Sequence, residues 1–185
     1  MYHIKSDRRS RRTAEEIGNG LLRCLKEKPL SCVTVTDIHR LTNISRATFY
    51  RLFDNIDDIL EYLCDTASRE EFERTELPED DPEHLFPRLL AQGLENHDLF
   101  QALISNGRYD LIFRYADRRY RLMQSLSDDL IPEMDDRSYD YVISAMAMNM
   151  VSTMVIWHRR GCVDTPEEIA RCMVEYLKVM NRLMN

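Results

Sequence analysis

Residues 34–53 read TVTDIHRLTNISRATFYRLF, and two short helical patterns lie back to back within them. Thr34 is an N-cap by type, and Asp37 stands three residues on, a capping-box spacing with a short acid. Ile38 and Leu41, at i and i+3, form the inward stripe of the first helix. Thr42-Asn43-Ile44 breaks the pattern, and Asn tolerates the left-handed backbone that such a turn requires. Ser45 caps a second helix of about two turns, which runs to Phe53.

The second helix carries the chemistry. At about 100° per residue, Phe49, Leu52 and Phe53 share one face. Ala47 and Arg51 stand near the middle of the opposite face, flanked by Arg46 and Tyr50 on one side and Thr48 on the other. Arginine forks reach guanine edges, a small residue lets a helix sink into the major groove, and hydroxyls and phenols bond phosphates. The pattern predicts a helix-turn-helix with its recognition helix second. Arg46, Ala47 and Arg51 are the candidates for base edges. Thr34, Thr36, Thr48 and Tyr50 are the candidates for phosphates, with Ser45 at the cap between them. Periodicity by itself fits a second reading equally well, a helical hairpin with a solvated polar face.

The same stretch resembles the DNA-binding segment of the TetR family of bacterial regulators. The matching pieces are the T-x-x-D-I opening at Thr34, the S-R-x-T-F-Y core at Ser45, and Phe53 four residues after Phe49. Further on, the W-x-x-x-G-x-x-x-x-P-E-E-I-A run from Trp157 to Ala170 is similar to a subgroup with a small C-terminal region. The resemblance implies an all-α fold of about nine helices, a three-helix DNA-binding domain over 1–54 and a helical regulatory and dimerisation domain over 55–185. It also implies a homodimer on a palindromic double-stranded operator, acting as a repressor that a small-molecule effector releases. Three positions depart from the family pattern. Gly18-Asn19-Gly20 replaces a region where many members carry alanines. Ile56, flanked by Asp54, Asp57 and Asp58, stands where a phosphate-touching lysine is common. Arg51 stands where many relatives have histidine.

Composition bounds the rest. The chain has 185 residues, of which 44% are hydrophobic and 31% charged, a globular composition. No continuous apolar run reaches the roughly 20 residues that span a bilayer, and no apolar segment follows the basic N-terminus, so a cytoplasmic protein without membrane contact is expected. The net charge of −7 hides an asymmetry: residues 1–53 hold 11 Lys+Arg against 5 Asp+Glu, net +6, and the remainder is net −13. A basic end attracts phosphate whatever its sequence, and an acidic body resists wrapping by DNA. Cys24, Cys32, Cys64, Cys162 and Cys172 are odd in number and never form C-x-x-C, so neither a disulfide framework nor a metal site is expected.

Along the chain, residues 1–11 read as a basic arm and a helix is expected from about Arg12 to Glu27. A long helix follows Asn55, an acidic loop spans 75–82 and a helix covers 83–96. Arg114, Arg118, Arg119 and Arg121 read as the solvated side of a helix over 108–127, and 128–137 reads as a loop. Residues 138–160 are apolar on more than one face, which predicts burial on two sides. Thr165 and Pro166 open the last helix. Met146, Met150, Met154, Met173, Tyr176, Leu177 and Met180 are the candidates for a four-helix dimer interface. Tyr62, Phe86, Phe100, Tyr109, Phe113 and Trp157 are candidates for an effector pocket, with plain core packing as the alternative.

An enzyme is not expected. The chain has no G-x-S-x-G, H-E-x-x-H or phosphate loop, its five histidines lack ligand spacing, and no cofactor is implied. The other rival is a binding module of the same fold with weakened DNA reading, acting through a protein partner. The missing lysine and the acids beside Ile56 motivate it.

Overall fold

The computed structural model describes residues 1–5, 7–74, 93–124 and 134–184. The expected loop at 75–82, most of the helix at 83–96, Phe86 and most of the loop at 128–137 lie outside these residues. The described residues form eight α-helices: α1 Arg8–Leu25, α2 Val35–Thr42, α3 Arg46–Leu52, α4 Asp57–Arg74, α5 His97–Ser105, α6 Tyr109–Gln124, α7 Asp136–Arg159 and α8 Pro166–Met184. A 3-10 turn at Leu30–Cys32 precedes α2. The chain is all-α. It forms two compact units, one of 1–69 with 98–115, the other of 70–97 with 116–185.

In the first unit α1 begins at Arg8, ahead of the expected Arg12. Asp7 is the reason: its carboxylate accepts the Ser10 amide at 2.9 Å and caps the helix. The residues before it are not a free arm. The His3 amide donates to the Leu52 carbonyl at 2.8 Å. The Tyr2 hydroxyl donates to Asp65 at 2.5 Å, and the Tyr2 ring meets Tyr62 edge-on. Residues 2 and 3 thus tie the end of α3 to α4. The core of this unit includes Ile17, Leu21, Ile38, Phe49, Leu52, Phe53, Ile59 and Leu60. Leu41, expected inward, is 39% exposed, because the α2–α1 contact is made through Ile38 and Thr42 instead.

The glycines in α1 do not break it. A Cβ on Gly20 would lie 2.5 Å from the Thr42 methyl, and one on Gly18 would lie 2.7 Å from a Leu63 methyl. Glycine at both positions lets α2 and α4 approach the α1 backbone. Thr42 cannot turn aside without loss: its hydroxyl donates to the Ile38 carbonyl at 2.9 Å and accepts the Ile44 amide at 3.3 Å. Gly20→Ala is therefore expected to destabilise the protein by about 1–3 kcal/mol through overpacking, even though alanine favours a helix by roughly 1 kcal/mol. Chemical denaturation reads this directly, and a variant more stable than the parent would refute the close approach.

The α5–α6 corner closes the same unit. The Leu30 amide donates to Asn106 Oδ1 at 2.7 Å. Arg108 pairs with Asp57 in the first turn of α4 and with Asp110, and Arg114 pairs with Glu61. Burial pushes the Cys64 thiol up to about 12. All five cysteines are free.

The second unit holds a buried ion pair. Arg119 Nη1 lies 2.5 Å from Glu71 Oε2, with side chains 3% and 0% exposed. Arg119 is therefore not on a solvated face as the sequence pattern suggests. Asn96 donates to the other oxygen of Glu71 at 2.6 Å. Gly93 sits beside the pair: a Cβ there would lie 3.4 Å from Arg119 Nη1 and 3.0 Å from the Met154 methyl.

Asp135 caps α7 through the Ser138 amide at 3.0 Å. Thr165 and Glu168 form a reciprocal capping box on α8, each accepting the other's amide. By length and composition α7 is apolar enough to cross a membrane, although no continuous apolar run reaches that length. It carries Ser144, Asn149, Ser152 and Thr153 within that length, a polar content suited to a helix packed against protein.

Candidate nucleic-acid interface

Local chemistry fixes α2 and α3 in place. The Thr34 hydroxyl accepts the Asp37 amide, and Asp37 accepts the Thr34 amide in return. Lys28 Nζ lies 2.7 Å from the same Asp37 carboxylate. Lys28, then the Thr34 hydroxyl and amide, hold the Asp37 carboxyl well below the usual carboxylate range. Asn43 takes the left-handed conformation, φ 58°, and ends α2. A ring nitrogen of His39 bonds the Ile44 carbonyl at 2.8 Å across the turn. Ser45 accepts the Thr48 amide at 3.2 Å and starts α3.

The two faces of α3 separate as its periodicity predicts. Phe49 and Leu52 are buried, while Arg46, Ala47, Tyr50 and Arg51 are exposed. Tyr50 is 56% exposed and rests edge-on against Phe49. Thr34 and Ser45 are exposed, and Thr36 and Thr48 are half-buried. The hydroxyls have protein partners. Thr34 donates to Asp37 at 2.6 Å, Ser45 donates to Thr48 at 3.0 Å, and Thr36 accepts Arg46 Nη2 at 2.6 Å.

The acids beside Ile56 are paired within their own unit. Asp57 pairs with Arg108, Asp54 with His3 Nε2 at 3.0 Å, and the half-exposed Asp54 and buried Asp58 both with the Met1 ammonium. Asp58 also accepts the Asp54 amide, while Asn55 caps α4 through the Asp58 amide. Each carboxylate therefore faces a cation at short range, which cuts its repulsion of a phosphate. Neither Arg108 nor Lys28 is visible as part of this region in the sequence, since each acts through tertiary pairing. A cleft of about 580 Å3 opens beside Tyr50, lined also by Leu30, Ser31, Val35, Asn106 and residues 54–57.

A model of the C-terminal region of TetR-type transcriptional regulators matches residues 80–179, more than half of the chain. The chain belongs to the TetR family. Two solved structures share the fold of this TetR-family chain. Lin0861 from Listeria innocua is 16% identical, covers 96% of each chain and superposes with a TM-score of 0.77. A TetR transcriptional regulator from Streptococcus agalactiae 2603V is 21% identical, covers 94% of this chain and 96% of its own, and superposes with a TM-score of 0.59. A search of curated proteins found no match to this chain.

Of the residues expected at an effector pocket, Tyr62, Phe100, Tyr109 and Phe113 lie in the first unit of this TetR-family chain and Trp157 in the second. Tyr62 is buried against Tyr2 and Phe53, and Phe100 against Tyr115, so both serve the aromatic core of the first unit. Tyr109 is 43% exposed and Phe113 half-buried. Trp157, in the second unit, donates to the Asp164 carbonyl at 3.0 Å and meets His97 edge-on. Of the expected dimer residues whose side chains are described, the buried Met154 is the one that the single chain already covers. Met154 is fully buried, and Met150 and Met154 point to Gly93 of their own chain. Met146, Met173 and Met180 are half-buried and Tyr176 is exposed. The side chain of Leu177 lies outside the described residues.

Apolar surface is left open on both helices, Tyr176 within it. On α7 it includes Tyr141, Ala145, Met148 and Ile156, with the Ser152 hydroxyl in the same row, and on α8 Cys172, Tyr176, Val179 and Leu183; Val142 and Val174 are exposed beside these rows. The two helices touch through the Thr153 hydroxyl and Met173 sulfur at 3.6 Å. Spacings of three and four residues make each set a stripe.

Proposed function

We propose that the chain is a cytoplasmic, homodimeric repressor that reads a palindromic operator with α3 and is released by a small-molecule effector. The observation that carries this reading is the exposure of Arg46, Ala47, Tyr50 and Arg51 together on a short helix anchored by Phe49 and Leu52, in the part of the chain that is net +6. Family membership supports the DNA target, and the open stripes on α7 and α8 support the dimer. On this reading residues 1–54 hold the DNA-reading elements and 55–185 the regulatory and dimerising ones. The effector has to favour one spacing of the two heads over another, since equal affinity for both shifts nothing.

The direct test is selection of duplex DNA from a random pool, followed by binding of Arg46→Ala and Arg51→Ala variants. Each variant is expected to lose about 1–3 kcal/mol on the selected site and to relax preference at one position. Unchanged affinity would reject the assignment of those arginines. The rival reading, a module that works through a protein partner, draws on Ile56 in place of a lysine. A folded dimer that protects no DNA at low salt would favour the rival.

A further inference from the structure

We propose that Thr36 is a specificity-determining positioning residue: its hydroxyl holds the Arg46 guanidinium ready for a base edge. The inference rests on the reading of α3 as the recognition helix. Arg46 is the first residue of α3 and Thr36 the second of α2. Their side chains meet at 2.6 Å across the turn, with Arg46 Nη2 donating. Both ends of the contact are fixed. Thr36 lies in a first turn locked by the Thr34–Asp37 capping box and by Lys28, and its branched Cβ restricts χ1. Arg46 follows directly on the Ser45 cap.

A guanidinium carries five N–H donors in one plane. One donor on Thr36 leaves others for the two acceptors of a guanine edge. An untethered arginine samples phosphates as well as bases, and ordering it on binding costs free energy. The tether removes part of that cost beforehand and narrows the directions in which the fork can point. Thr36 thus sharpens the contrast between base pairs, and its hydroxyl acts through Arg46 rather than as an independent phosphate ligand.

Thr36→Val removes the hydroxyl and keeps the shape, and Thr36→Ser keeps the hydroxyl. The full chain is titrated with its selected duplex, with that duplex permuted at the base pair whose preference Arg46→Ala abolishes, and with an unrelated duplex. Thr36→Val is expected to weaken the selected duplex about three- to tenfold and to flatten discrimination at that one base pair. The unrelated duplex and the melting temperature stay unchanged, and Thr36→Ser restores the contrast. In an Arg46→Ala background, Thr36→Val has no further effect. A loss that is equal on all duplexes and persists without Arg46 would mark a direct phosphate contact and overturn the inference. Selective binding by the parent, with full contrast kept in Thr36→Val, overturns this inference alone. A parent with no selective binding overturns the recognition-helix reading beneath it.

Discussion

Glu71→Gln is expected to cost about 3–5 kcal/mol of stability, the usual penalty for removing one partner of a buried ion pair. The change keeps side-chain volume, so no cavity term enters. What it removes is the carboxylate 2.5 Å from Arg119, whose side chain is 3% exposed. Arginine does not deprotonate in proteins, so the guanidinium stays charged and buried with this carboxylate gone. For a chain of this length the loss corresponds to a fall in melting temperature of roughly 10 °C. The double variant Glu71→Leu, Arg119→Met should recover part of it, because burying neither ion avoids both desolvation penalties, while the Asn96 amide loses its acceptor. Thermal unfolding of the two variants is sufficient. A single variant that melts with the parent would mean that the Glu71 carboxylate is not what compensates the buried guanidinium, and would refute the prediction.

Arg119 also marks where sequence reading stops. Its partner is 48 positions away, and periodicity along one helix does not reveal what another brings against it. The helix-turn-helix was legible because its determinants are local. Thr34, Asp37, Asn43 and Ser45 act within a few residues of themselves, and the Phe49–Leu52 face follows from helical spacing alone. Asp7 was equally local, with its cap target Ser10 three residues on, but the run of arginines around it obscured the helix start. The acids beside Ile56 read as repulsive because Arg108 and His3, which pair with them, lie far away in sequence. In α7 the composition showed two apolar faces and could not say which one the chain itself covers. The Met150–Met154 side packs inward beside Gly93, leaving Tyr141, Met148 and Ile156 outside.

That outer face gives the largest expected effect on function. If the protein is the proposed homodimer on a palindromic operator, Val179→Asp, alone or with Ile156→Asp, is expected to yield single subunits and to lower operator affinity about 10²- to 10⁴-fold. Val179 and Ile156 are 51% and 52% exposed in the single chain, so a carboxylate at either site costs the subunit little, and the fold and melting profile should persist. In a dimer the same positions would lie in an apolar seam, where like charges related by a two-fold axis are desolvated against each other. The loss of affinity follows from linkage. Two heads on one rigid seam meet half-sites roughly 34–36 Å apart, and the second contact forms at the high effective concentration that the first creates. A single head keeps its own contacts, so affinity for an isolated half-site should be the same in parent subunit and variant. Sedimentation at micromolar concentration, paired with titration of full and half operators, separates the outcomes. A variant that stays dimeric would move the seam off α7 and α8. A variant that is monomeric yet binds the full operator as tightly as the parent would mean that one α3 suffices, and the palindromic reading would fall.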